Sequence, residues 1–172
     1  MKVLGIDPGA DCGWAFYQGE SYLSGVWHLN PKGSLCCGDH PLLYLKGHLR
    51  KVFDSVGPVD LIVFEEPVGY SQSIGRTVVA VAAGSQKVGI IVSEADSHGI
   101  HWLGLKPTDV KAFARRHDGL ADCFPRKGQA DKEAMWNAAK MYFHKTPSDH
   151  NEADALWVCA YGVENYEEIF KS

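Results

Sequence analysis

The sequence predicts an α/β fold, a mixed β-sheet with helices on both faces. Three observations predict it. The chain opens with three short strand-like runs, the first two joins being turn-like, which reads as an antiparallel meander. A later run, Leu61-Ile62-Val63-Phe64, is continuously apolar at strand length, as expected of a strand covered on both sides. Helical and strand patterns alternate after the meander, the order that builds parallel strands with crossover helices.

The elements follow in order. Val3 to Ile6 is a strand that runs into the turn Asp7-Pro8-Gly9. Trp14 to Tyr17 and Tyr22 to Leu29 are the next two strands, separated by Gln18-Gly19-Glu20, and Asn30 to His40 is a loop. Pro41 opens a helix whose Leu42, Leu45, Leu49, Val52 and Phe53 share one face, and Gly57-Pro58 stops it. The buried strand Leu61 to Phe64 ends in Glu65-Glu66-Pro67. Thr77 to Ser93, rich in Ala and Val with Gly84 and Gly89, is long enough to favour a closely packed helix. Ile100 to Leu105 is a strand. Helices start at Pro107 (to about Arg116), at Asp131 (to about Phe143) and at Asn151, and His117 to Gly128 is a long irregular connection. Trp102, Trp136 and Trp157 fall within these patterns and read as core.

With 172 residues, 45% of them hydrophobic and 22% charged, the chain fits one globular domain spanning residues 1–172. No apolar run approaches the ~20 residues of a membrane span. The start, MKVLGIDPG, lacks the pattern of a signal peptide, so a cytoplasmic location is expected. Five cysteines, an odd number without a CxxC pair, favour reduced thiols; Cys36-Cys37-Gly38-Asp39-His40 is a weak metal motif without a second knuckle. The net charge of −4 argues against indiscriminate nucleic-acid binding. Its distribution qualifies that: Ser148 to Ser172 carries six acids against one lysine, whereas Lys106 to Lys132 carries seven bases against four acids.

Three acids stand where chemistry is expected. Asp7 ends the first strand, Glu65 ends the buried one, and Asp154 lies early in the last helix. Strand-end carboxylates beside apolar runs are partly desolvated, which is costly without a compensating cation. If the first and fourth strands are neighbours, Asp7 and Glu65 stand side by side and repel. Oxygen-only donors suit Mg²⁺ or Mn²⁺ rather than Zn²⁺. Taken singly, each has a plainer reading: an Asx turn for Asp7, a surface charge for Glu65, a first-turn acid for Asp154.

The joint pattern resembles the RuvC family of Holliday-junction resolvases, which have a ribonuclease H-like fold. The matching pieces are GIDPG (Gly5 to Gly9), VFEE (Val63 to Glu66), SQKVG (Ser85 to Gly89), PTDVK (Pro107 to Lys111), GQADKE (Gly128 to Glu133) and ADAL (Ala153 to Leu156). They stand in family order and span nearly the whole chain, with the flavour of a phage or prophage member. The resemblance implies that Asp7, Glu65 and Asp154 are catalytic metal ligands. Strand alternation also favours Glu65 over Glu66. The family has an acid or histidine three residues before the last Asp. Here that residue is Asn151, whose amide oxygen ligates without adding charge; His150 is an alternative, and Glu152 should face elsewhere on the helix.

Lys111 and Lys132 match family lysines that contact DNA phosphate, and Arg115, Arg116, Arg126 and Lys127 lie in the same basic stretch. Both lysines follow acids, so a solvated helix start is the plainer alternative. The loop Pro67 to Arg76 follows the catalytic strand; Tyr70 is a candidate to stack on an unpaired base, and Arg76 a further DNA contact.

The resemblance implies a divalent-metal-dependent endonuclease, acting in DNA recombination and repair, that cuts branched DNA, above all four-way junctions. Two Mg²⁺ ions, with Mn²⁺ as a substitute, would activate water for in-line attack, leaving 5′-phosphate and 3′-hydroxyl ends. A two-fold symmetric junction suits a homodimer, and the small residues of Thr77 to Ser93 offer a dimer surface or a buried monomer face. Three alternatives remain at this level: a flap nuclease of the same fold, a junction-binding protein that does not cut, and an actin-like or sugar-kinase-like ATPase. The last needs two lobes, and there is no GxxxxGK[ST] or GxGxxG motif.

Overall fold

Strands buried along nearly their whole length need cover on both faces, and this chain supplies it. The computed structural model describes residues 1–29, 40–67, 78–124 and 132–171. Its strands are β1 (Lys2–Asp7), β2 (Cys12–Gln18), β3 (Ser21–Trp27), β4 (Leu61–Glu65) and β5 (His101–Leu105), in the spatial order β3-β2-β1-β4-β5. β1, β2 and β3 pair antiparallel, as the meander predicts. β4 lies parallel to β1, with Ile6 opposite Phe64, and β5 lies parallel to β4. The first and fourth strands are therefore neighbours, and Asp7 and Glu65 follow the last paired residues at the same end of the sheet.

The helices divide by face. α1 (Pro41–Val56) and α2 (Val78–Ser97) cover Leu4, Ile6, Phe16, Ile62 and Phe64. α3 (Pro107–Arg115), α4 (Lys132–Tyr142) and α5 (His150–Glu164) cover Val3, Ala15, Leu61, Val63 and Leu105. Odd and even strand positions thus feed two separate cores, each apolar side chain contributing roughly 1.5–3 kcal/mol on full burial. A short α6 (Tyr166–Lys171) follows Asn165, and a 3₁₀ turn (Ala121–Cys123) lies within the long connection.

Three sequence expectations need correcting. α2 runs four residues past Ser93, because Glu94 turns inward to Lys46 and Arg50 of α1, both at 3.0 Å, and is only 3% exposed. A buried acid with two cations is tolerated where a lone one is not. Trp102 is not core: it is 44% exposed on the outermost strand, with its indole donating to Asp96 at 2.9 Å. Trp136 is half-buried, and only Trp157 is fully enclosed. On α2, Ala82, Ala83, Ser85, Gln86, Gly89 and Ser93 are exposed, so its small residues are not all explained by monomer packing.

α5 crosses the sheet unusually close. A Cβ at Gly5 of β1 would fall 2.5 Å from the Cys159 nitrogen, and one at Gly13 of β2 would fall 1.9 Å from the Asn151 carbonyl oxygen. Only glycine permits these approaches. They bring the start of α5 down onto the ends of β1 and β2, where Asp7 lies.

Candidate metal and DNA-binding site

Asp7, Glu65, Asn151 and Asp154 all line one cavity of about 360 Å³, together with Pro8, Gly9, Asp11, Glu66 and Lys132. β1 and β4 deliver the first two because they are parallel neighbours ending together. α5 delivers the other two three residues apart, hence on one helix face. The β1–β2 turn closes the gap between them. A Cβ at Gly9 would sit 3.2 Å from Asn151 Oδ1 and 3.6 Å from Asp7 Oδ2, so the turn leaves a cradle between an amide oxygen and a carboxylate oxygen.

The amide is oriented by its other end. Asn151 Nδ2 donates to Asp149 Oδ2 at 3.0 Å, and Asp149 caps α5 by accepting from the Glu152 nitrogen at 2.8 Å. Asn151 Oδ1 is thereby turned toward the cavity. His150, the alternative ligand, is the first residue of α5 and is not among the residues lining the cavity. Its Nδ1 is buried without a hydrogen-bond partner among the described residues, and its charge acts on Asp154. Glu152 faces away, as expected, into a nest with Ser24, Lys145 and Ser148.

Electrostatics single out Asp154. Burial pushes its carboxyl up to about 6, Asp149 adds to the rise, and Lys132, Lys111 and His150 pull it back. Lys132 lines the acidic cavity, and Lys111, on a different helix and outside that lining, acts on Asp154 from farther off. Lys132 is exposed on its rim and Lys111 is half-buried. Arg115 and Arg116 are exposed, with the Arg115 guanidinium 5.7 Å from the centre of the Phe124 ring. Tyr70, Arg76, Arg126 and Lys127 lie outside the described residues.

The donors fit a hard divalent cation. They are three carboxylates and an amide oxygen lining one cavity, the set preferred by Mg²⁺ and Mn²⁺. Among the described residues, no three His, Cys, Asp or Glu side chains are drawn tightly enough together to clasp one ion. The arrangement is a shared cavity rather than a closed cage.

Two cavity acids, Asp11 and Glu66, and one buried cation, Lys87, were not identified from sequence. Glu66 donates its backbone N–H to Leu105 at 2.8 Å, and its side chain lies over Gly104 of β5. Asp11 pairs with His28 at 3.2 Å. For Lys87 a signal existed, since it is the one charge between Thr77 and Ser93.

No family model matches the chain. The crossover junction endodeoxyribonuclease RuvC of Anaeromyxobacter sp. (strain K), a curated protein, is 29% identical over 160 residues, which are 91% of this chain and 77% of that protein. Among solved structures, T. thermophilus RuvC in complex with Holliday junction substrate superposes with a TM-score of 0.71 at 18% identity, covering 98% of this chain and 96% of that one. The yeast mitochondrial Holliday junction resolvase Ydc2 gives a TM-score of 0.54 at 15% identity, covering 98% and 82%. These likenesses establish the fold, the ribonuclease H-like mixed sheet that the sequence implied. No helix among the described residues is long and apolar enough to cross a membrane.

Proposed function

From the chain's similarity to RuvC in sequence and in fold, we propose that it is a divalent-metal-dependent endodeoxyribonuclease that resolves four-way DNA junctions by paired nicks. The observation that carries this reading is the convergence of Asp7, Glu65, Asn151 and Asp154 on one cavity rimmed by Lys132. Asp7, Glu65 and Asp154, with the Asn151 amide oxygen, are the residues that hold the ions. Bound divalent ions would supply an activated water and stabilise the leaving oxygen of a phosphodiester.

The chain's own residues do the rest. Lys132 and Lys111, both acting electrostatically on Asp154, engage backbone phosphates and draw the scissile strand toward the acids. Because phosphate contacts carry no sequence information, they favour junction shape over base identity. Metal binding competes with the proton that burial favours on Asp154. The exposed small residues of α2 fit a two-fold contact with a second copy, which would set two cavities against two strands.

The test is cleavage of an end-labelled synthetic four-way junction, with and without Mg²⁺, beside a matched flap and an Asp7→Asn control. The reading expects Mg²⁺-dependent, symmetric nicks near the branch point with 5′-phosphate ends. Equal nicking by Asp7→Asn contradicts the catalytic assignment. Preference for the flap moves the substrate to the flap class, and junction binding without nicking leaves a binding protein.

A further inference from the structure

Lys87 is a cation placed where the fold does not need one. It interrupts an otherwise uncharged run of small and apolar residues in α2, and it is only 7% exposed. Its ammonium leaves α2 toward the β1–β2 turn and donates to the Gly9 carbonyl oxygen. That carbonyl is two residues from Asp7. Asp7, Asp11 and the Cys12 thiol, all on or beside the turn, act electrostatically on the lysine. Burying an ammonium is costly unless partners compensate, and a methionine would fill the same path without that cost. Packing alone therefore does not account for the charge.

We propose that Lys87 is a positioning residue for the candidate metal site. By holding the Gly9 carbonyl and facing Asp7, it fixes the turn whose cradle brings Asp7 Oδ2 and Asn151 Oδ1 to the same point. Gly9 is the pivot, because the place its side chain would fill lies between those two oxygens. Lys87 also ties the turn to α2, the helix whose other residues Ala82, Ala83, Gln86 and Gly89 are exposed. This inference rests on the nuclease reading above and adds a residue outside the cavity lining to it.

The experiment compares wild type, Lys87→Met and Lys87→Arg in three measurements. They are junction nicking across a Mn²⁺ titration, junction binding without divalent metal, and thermal unfolding with and without Mn²⁺. Loss of a group that orients a ligand from outside the metal's own shell typically costs about 10–100-fold in activity or metal affinity. Lys87→Met is expected to lose about that much turnover at saturating Mn²⁺, while metal-free junction binding stays within about 2-fold. Its half-saturating Mn²⁺ should fall below wild type's, because a charge opposing the cation has been removed. Lys87→Arg, which keeps the charge and the donors, is expected to recover most of the turnover.

Unchanged turnover in Lys87→Met overturns the proposal. So does a parallel loss of turnover, binding and thermal stability that Lys87→Arg shares, since that pattern marks a packing role. If wild type itself fails to nick, the nuclease reading fails. The lysine is then judged on Mn²⁺-dependent thermal stabilisation alone, where identical curves for wild type and Lys87→Met overturn it.

Discussion

Two acids on α5, Glu152 and Asp154, are separated by one residue and live under opposite electrostatics. Glu152 is 2% exposed, yet its carboxyl is held down to about 2. Burial alone would raise it, but hydrogen bonds from Lys145 at 2.7 Å, Ser24 at 2.6 Å and the Ser148 nitrogen and hydroxyl at 2.7 and 2.6 Å overcome that cost. Asp154 faces the cavity instead, where burial prevails over more distant lysines and its carboxyl rises to about 6. The two regions teach the difference between a buried charge the fold compensates and one it leaves for a ligand. The first pins β3 and the α4–α5 connection to the start of α5; the second presents a carboxylate to whatever enters.

The comparison is broken most severely at Asp7. Asp7→Asn is expected to reduce junction nicking at least about 1000-fold, as removal of a metal ligand forfeits several kcal/mol of transition-state stabilisation. Junction binding without metal should persist, and gel-shift titration checks that. On the other side, Glu152→Ala strips the nest and should cost about 3 kcal/mol of stability in urea unfolding. Nicking per folded molecule should change far less than in Asp7→Asn.

Asp154→Asn is expected to do the opposite of Glu152→Ala: it should stabilise the metal-free protein by about 2 kcal/mol at pH 7.5, while abolishing nicking. The sign follows from the carboxyl's elevation. A group whose folded value is raised favours folding when protonated, and that benefit disappears as pH rises through about 6. The gain in Asp154→Asn should therefore shrink as pH falls and vanish near pH 4. Glu152 works the other way, since its contribution is present above the ordinary carboxylate range and is lost as pH falls toward 2. Unfolding midpoints of both variants from pH 2 to pH 8 check the pair. The smallest effect sharpens the rim: Lys132→Ala should lower the slope of log affinity against log salt by about 1, the loss of one phosphate contact.

Much of the site could be read along the chain because strands end where their apolar pattern ends. Asp7 and Glu65 are each the first polar residue after such a run, so adjacency of β1 and β4 suffices to bring them together. Asp154 was found by its motif, but nothing in local periodicity says that α5 descends onto β1 and β2. That depends on Gly5 and Gly13, whose absent side chains are visible only once a helix lies over them. Trp102 was misplaced for a related reason, since a strand pattern does not reveal which strand lies at the edge. Lys87 escaped, although it stands within the SQKVG piece, because its helix was read only for its small residues, and a solitary charge in such a run already asks for a buried partner. The direction of the Asn151 amide depends on Asp149, a neighbour whose capping role hides its second function.

The central claim is that carboxylates from β1, β4 and α5 hold divalent ions in one place. Anomalous diffraction from crystals soaked in Mn²⁺ measures that directly. The account predicts density in the cavity, in direct coordination with Asp7, Glu65 and Asp154 and lost in Asp7→Asn crystals. Mn²⁺ bound elsewhere, with that cavity left without density at saturating metal, would contradict it.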